Sequence, residues 1–163
     1  MFEVMLVDDE ANVLNALKRE LSFLVKASDS AFQIRLHTFT EPVQALAHAF
    51  ENPVDLVVSD YRMPEMNGVE MLRSLKQIRP DAASIILSGQ ADMTAVLRAI
   101  NEVGIARFIS KPWEREALLT HLLEVMSDLA LRRENRRLAD EMRDLMGQDR
   151  LNDGESGVEH IEA

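Results

Sequence analysis

Short apolar runs alternate along this chain with longer stretches in which apolar residues recur every three or four positions. Phe2–Val7 (FEVMLV) is nearly continuous in apolar residues, the pattern of a strand covered on both faces. It ends at Asp8-Asp9-Glu10, after which Leu14, Leu17, Leu21 and Leu24 fall on one helical face. Residues 33–38 (QIRLHT) alternate polar and apolar, which predicts an edge strand with one wetter face. Thr40 stands where an N-cap belongs, and Val43, Leu46, Ala47 and Phe50 are the expected apolar face of the next helix. Residues 54–59 (VDLVVS) read as a third strand, ending at Asp60. Asn67, with Glu70 three residues on, opens a helix through Leu72, Leu75 and Ile78 that Pro80 stops. Residues 84–87 form a fourth strand. Met93, Val96, Leu97 and Ile100 stripe a fourth helix, with Gly104 at its end. A fifth strand over 105–110 leads into Lys111-Pro112-Trp113 and a helical pattern from about 114 to 146.

Strand and helix alternating five times predict an α/β fold. Right-handed crossovers leave few topologies, and the expected one is a doubly wound five-stranded parallel sheet of order 2-1-3-4-5, flavodoxin-like, with an extended C-terminal helix. The expected organisation is one domain over 1–126, a charged helix with coiled-coil character over 127–146, and a disordered acidic tail over 147–163.

Composition narrows the function. The chain has 163 residues, 47 % of them hydrophobic, enough to bury a core. Lys and Arg number 18 against 28 Asp and Glu, a net charge of −10 that argues against direct nucleic-acid binding. The absence of cysteine excludes disulfides, zinc–thiolate sites, iron–sulfur clusters and a thiol nucleophile. No apolar run approaches the ~20 residues of a membrane span, and the first ten residues lack the features of a signal peptide. Cytoplasmic residence without membrane attachment is the expectation.

Sheets of this kind bind ligands at the carboxyl ends of the strands, where the strand order reverses. Strands 1 and 3 flank that point and end in Asp8, Asp9 and Asp60; strand 4 ends in Ser88, and strand 5 leads into Lys111. Carboxylates ~5 Å apart repel by roughly 3 kcal/mol per pair at an effective dielectric near 20. A hard divalent cation such as Mg²⁺ relieves this, and with a lysine and a hydroxyl nearby it makes a receptacle for a phosphoryl group. Singly, each residue has an ordinary role: an Asp pair caps a helix, Asp60 forms a turn, Ser88-Gly89 is a loop and Lys111 is solvated. The joint arrangement is what points to chemistry.

Asp8-Asp9, the Ser59-Asp60-Tyr61-Arg62-Met63-Pro64 segment, Gly68, Leu87-Ser88-Gly89 and Lys111-Pro112 together resemble the signature of the receiver domain of bacterial response regulators, over about residues 1–126. The resemblance implies that Asp60 accepts a phosphoryl group from a histidine kinase. It implies Mg²⁺ held by Asp9, Asp60 and the main-chain carbonyl of Arg62, with Asp8 acting directly or through water. Lys111 and Ser88 would hold the phosphoryl oxygens. Phe108 would swing inward as the switch, changing the face formed by helix 4, strand 5 and helix 5; without a hydroxyl at 108, that switch works by packing alone. Pro112 follows the lysine where the family commonly carries a cis bond, while the Arg62 side chain and Gln90 would tune phosphoryl lifetime. The implied activity is limited to self-phosphorylation from phosphodonors and autodephosphorylation.

The Ile109-Ser110-Lys111-Pro112-Trp113 run and the helix after it resemble receivers that precede cyclic-di-GMP phosphodiesterase, transcription-activator or kinase modules. The expected output is therefore a downstream protein or an output domain. Two other readings compete. A Mg²⁺-dependent aspartyl-phosphate phosphatase needs a second Asp two residues after the nucleophile, and Arg62 stands there. A degenerate receiver acting only as a platform is opposed by the intact Asp8, Asp9, Asp60, Ser88 and Lys111 set. His37, His48, His121 and His160 share no metal-ligand spacing, and Trp113 is expected to pack where the last helix joins the domain. Beyond the receiver, Leu131, Leu138, Met142 and Leu145 with Asn135 between them suggest heptad core positions, hence a weak homodimer through residues 131–146.

Overall fold

The computed structural model describes residues 1–27 and 32–155, with side chains through Gln148. Strands β1 (Phe2–Val7), β2 (Ile34–Phe39), β3 (Leu56–Asp60), β4 (Ala83–Ser88) and β5 (Arg107–Ser110) form one parallel sheet in the order β2-β1-β3-β4-β5. The three apolar runs occupy its interior: β3 is buried throughout, and β1 and β4 each expose only one residue in part. The alternating β2 lies at one edge, half-buried, and β5 at the other.

Five helices connect and follow the strands: α1 (Ala11–Ala27), α2 (Pro42–Glu51), α3 (Gly68–Ile78), α4 (Met93–Ala99) and α5 (Arg115–Glu155). Met5, Val7, Val57 and Ile86 of the sheet form one core layer with Ala45 and Ala49 of α2, Leu72 and Leu75 of α3 and Val96 and Ala99 of α4. The alternate residues Leu6 and Leu87, both fully buried, point to the opposite face. Leu14, Leu17, Leu21 and Leu24 are the buried stripe of α1, as their spacing predicts. Each buried Leu or Val contributes about 1.5–3 kcal/mol, so a charge placed at Val57 would disrupt the sheet.

Asn67 caps α3 as expected: its side-chain oxygen accepts from the Glu70 N–H, and its amide donates to Glu70 Oε1 at 3.0 Å. Helix α2 departs from expectation. It starts one residue later, at the uncapped Glu41 with Pro42 in its first turn, and it buries Pro42, Ala45 and Ala49. Val43 and Phe50 are 59 % and 75 % exposed, and only Leu46 of the expected face packs partly on the core. Small side chains face inward because the helix lies close to α3 and the sheet. The fourth helix is composite: a 3-10 turn at Gln90–Asp92 precedes α4, and a π turn at Ile100–Gly104 follows it, ending on Gly104 at φ 76.

Both sheet edges carry ion pairs. On β2, Arg35 Nη1 donates to Glu3 Oε1 at 2.9 Å, and His37 Nε2 lies 2.8 Å from Glu3 Oε2. On β5, Arg107 Nη2 reaches Glu124 Oε2 at 3.3 Å. His37 and His48, eleven residues apart in sequence, stack with ring centroids 4.5 Å apart, and Phe39 lies 5.1 Å from the His48 ring. Burial, then the neighbouring His37, holds His48 below the usual histidine range.

The chain divides into two compact units, residues 1–126 and 127–163. The second contains the continuation of α5, which runs to Glu155, past the boundary expected at 146; the part of the expected tail beyond 155 lies outside the described residues. Here Leu131, Leu138, Met142 and Leu145 are exposed, and Arg137 pairs within the helix with Glu134 and Glu141. Among the described residues no helix is long and apolar enough to cross a membrane.

Candidate functional site

Parallel register brings the strand ends together. Val7 lies opposite Ser59, Asp60 opposite Leu87, and Ser88 opposite Ser110, so Asp8, Asp60, Ser88 and Lys111 follow one another across the carboxyl edge of the sheet. Main-chain bonds continue the ladder past the strands: Tyr61 N–H donates to Leu87 C=O and Lys111 N–H to Ser88 C=O, each at 2.9 Å.

One carboxylate oxygen each from Asp8, Asp9 and Asp60 lies within 4.8 Å of the others. Asp8 is 1 % exposed and Asp60 8 %, whereas Asp9 is open to solvent. Lys111 Nζ bridges the two buried acids, 2.9 Å from Asp60 Oδ1 and 3.2 Å from Asp8 Oδ2. Burial pushes the Asp8 carboxyl above its usual range; a hydrogen bond from Glu10 N–H and the Lys111 charge offset part of this, and Asp60 adds to it. Burial works against the Lys111 ammonium, but its bonds to Asp60 and Asp8 outweigh that and raise its pKa. Three close acids against one ammonium leave an excess of negative charge facing solvent. All-oxygen donors in this number suit a small hard cation such as Mg²⁺.

Gly68 fixes the geometry behind the site. Its N–H donates to Tyr61 C=O at 2.8 Å, and a Cβ there would sit 2.2 Å from the Asp60 carbonyl oxygen. Only glycine lets α3 begin so close to the end of β3. Between them, Glu65 at φ 68 sits in a three-residue turn closed by Met66 N–H to Pro64 C=O at 2.8 Å. A cavity of about 230 Å³, lined by Thr40, Glu41, Pro42, Pro64, Glu65 and Met66, opens beside Asp9.

Ser88 is buried at the end of β4, its hydroxyl donating to the Gly89 carbonyl at 3.1 Å. Phe108 is half-buried on β5, opposite Ile86 and against the core layer. The Lys111–Pro112 peptide is cis. Gln90 is exposed in the first position of the 3-10 turn, and Trp113 is half-buried. The Arg62 side chain grips Asp92, with Nε to Oδ2 at 2.6 Å and Nη2 to Oδ1 at 2.9 Å. This bidentate bond holds the Asp92 carboxyl below its usual range. Asp92 carries no sequence signal as a site residue, since its partner is thirty positions away.

The family described as the response regulator receiver domain matches residues 4–123. Among curated relatives, the hydrogenase transcriptional regulatory protein HoxA of Cupriavidus necator is 31 % identical over 140 residues, which is 86 % of this chain and 27 % of that protein. The transcriptional regulatory protein FixJ of Rhizobium meliloti is 32 % identical over 118 residues, 72 % of this chain and 53 % of its own. This chain thus spans about a quarter and about half of the lengths of these relatives. Among solved structures, the signal receiver domain of an HD domain-containing protein from Pseudomonas fluorescens superposes with a TM-score of 0.69 at 32 % identity, covering 79 % of this chain and 97 % of that one. Fold, aligned strand ends and relatives agree: the chain belongs to the receiver domains of two-component response regulators.

Proposed function

We propose that this chain is a phosphorylation-controlled signalling module that takes a phosphoryl group from a histidine kinase onto Asp60. The observation that carries the reading is Lys111 bridging Asp8 and Asp60 beside Asp9 at adjoining strand ends. An Asp60 carboxylate oxygen attacks phosphorus in line, forming the O–P bond as the N–P bond to the donor imidazole breaks. Lys111 Nζ neutralises a phosphoryl oxygen, and the Ser88 hydroxyl exchanges its bond to the Gly89 carbonyl for one to the phosphoryl group. Phe108 follows into the space this opens and alters the α4–β5–α5 face by packing. Mg²⁺, held by Asp9, Asp60, the Arg62 main-chain oxygen and Asp8, would supply charge compensation.

The output lies in a downstream protein or a further domain. The lengths of HoxA and FixJ favour the second form, in which this chain is the receiver part of a larger regulator. The phosphatase reading is disfavoured: the position it needs as an acid is Arg62, engaged with Asp92. Cytoplasmic residence, no nucleic-acid binding and a weak homodimer through residues 131–146 complete the proposal.

Incubation with Mg²⁺ and acetyl phosphate should add one acid-stable, base-labile phosphate, read by intact mass. Asp60→Asn should take none at that position. Equal labelling of the variant, mapped elsewhere, would overturn the assignment.

A further inference from the structure

The five β–α loops and the 3-10 turn carry two cations between them, Lys111 and Arg62. Lys111 is already shared between Asp8 and Asp60. Arg62 is held by Asp92: its side chain is 74 % exposed, and its guanidinium grips Asp92 through two bonds. Asp92 ends the 3-10 turn and stands at the start of α4, yet its carboxylate makes no capping bond to that helix.

The segment Asp92 belongs to is lightly anchored. None of residues 90–92 is fully buried, although the Asp92 side chain is only 15 % exposed; α4 buries Val96 and Ala99, and the π turn buries Val103. Ile100 packs partly on the core, and polar bonds from the β3–α3 side add to this. Lys76 Nζ donates to Val103 C=O at 2.8 Å, Arg73 lies 3.7 Å from Glu102, and Arg62 holds the opposite end. Three cations on one segment therefore hold three acceptors on the next, and the one at the front stands two residues from Asp60.

Phosphorylation of Asp60 adds about one negative charge where Lys111 is the sole side-chain cation. Arg62 has its Cα at most about 7 Å from that of Asp60, has a long flexible side chain, and prefers bidentate phosphoryl oxygens. We propose that Arg62 is a two-position latch: it holds Asp92 in the unphosphorylated chain and transfers to the phosphoryl oxygens on Asp60, releasing residues 90–92 and the front of α4. Lys76 and Arg73 keep their hold at the other end, so the segment pivots rather than detaches. The proposal rests on phosphorylation of Asp60 as inferred above. Arg62 is a positioning residue in the resting chain and a phosphoryl ligand in the switched one.

The test follows amide exchange at Asp92 and Met93, whose N–H groups donate to Gly89 and Gln90 carbonyls, together with the Arg62 Nε–H resonance. Wild type, Arg62→Met and Asp92→Asn are compared in Mg²⁺, with and without beryllofluoride as the phosphoryl mimic. In wild type the mimic should speed exchange at both amides about two- to fivefold, the range an exposed ion pair supports, and shift the Arg62 resonance. Arg62→Met should exchange at the faster rate before the mimic is added and gain nothing from it. Asp92→Asn should also start fast, and its Arg62 resonance should still move when the mimic binds. Shifts at the Ser88 and Lys111 amides report occupancy independently. If those amides respond while the Arg62 resonance stays put, or if Arg62→Met exchanges like wild type, the latch is wrong and the phosphoacceptor site stands. If they do not respond at all, both readings fall together.

Discussion

Replacing Asp8 by asparagine should stabilise the chain when no divalent cation is present. The Asp8 carboxylate is 1 % exposed and lies within 4.8 Å of oxygens from Asp9 and Asp60. At an effective dielectric near 20, unit charges at that separation repel by about 3.5 kcal/mol. The two repulsions come to about 6 kcal/mol once solvent around the exposed Asp9 is allowed for. Lys111, at 3.2 Å from Asp8, returns about 5 kcal/mol. The charges alone thus leave the ionised Asp8 about 1 kcal/mol in deficit, and burial, the leading cause of its raised pKa, deepens this. Asparagine keeps an oxygen for the Glu10 N–H, now at 2.8 Å, and leaves Lys111 on Asp60. The sign with pH follows. The folded chain holds the Asp8 proton more tightly than the unfolded one, so the penalty is absent below the ordinary value of 3.8, grows as pH rises through the raised value, and is complete at neutrality. In chelator at pH 7 the variant should therefore melt roughly 4 °C above wild type. The gap should close near pH 3.5, and it should shrink or reverse in millimolar Mg²⁺, which stabilises wild type by mass action. Thermal unfolding followed by circular dichroism measures all three conditions. A variant that melts below wild type in chelator at pH 7 would refute the reasoning.

Three further outcomes are expected. Gly68→Ala places a Cβ 2.2 Å from the Asp60 carbonyl oxygen, so it should cost about 2 kcal/mol in urea unfolding and slow labelling by acetyl phosphate; a loss within error of zero would contradict the close approach. His48 has its pKa held below the ordinary 6.5, so the unfolded chain takes up that proton first as pH falls, and stability should drop below pH 6.5. His48→Phe should flatten that slope between pH 7 and 5, and an unchanged slope would assign the acid sensitivity elsewhere. Sedimentation should show weak self-association of the full chain, strengthened by beryllofluoride and lost on truncation after Ala130; monomers throughout at high micromolar concentration would reduce the helix to a linker.

The strand pattern made the sheet legible because central and edge strands differ in composition: VDLVVS has no wet face, while QIRLHT does. The acidic cluster was legible for the same reason, since parallel strands deliver their last residues to one edge. What stayed hidden depends on distance in sequence or on size rather than polarity. The buried face of α2 is not legible in periodicity, which follows bulk: Ala45 and Ala49 face inward while Val43 and Phe50 do not. Thr40 does not cap α2, because the helix starts one residue later, at Glu41 with Pro42 in its first turn, without a side-chain cap. The His37–His48 stack and the Arg62–Asp92 pair join residues eleven and thirty apart, which no local period encodes. The π turn after α4 is invisible to a 3.6-residue pattern, and helix α5 runs on to Glu155 through Gly147, Asp149, Asn152 and Gly154, poor helix formers that by propensity would end it near 146.

The ion pairs at the two sheet edges bear on how copies of this chain can meet. An open parallel sheet ends in strands with unsatisfied main-chain groups, which invite a strand from another molecule. On β2 an added strand would have to settle among Arg35, His37 and Glu3, and on β5 beside Arg107 and Glu124. Charged side chains along both margins make such growth unfavourable, and β5 offers only four residues to build on. Such charged margins disfavour the edge-to-edge stacking of strands that leads to insoluble fibres.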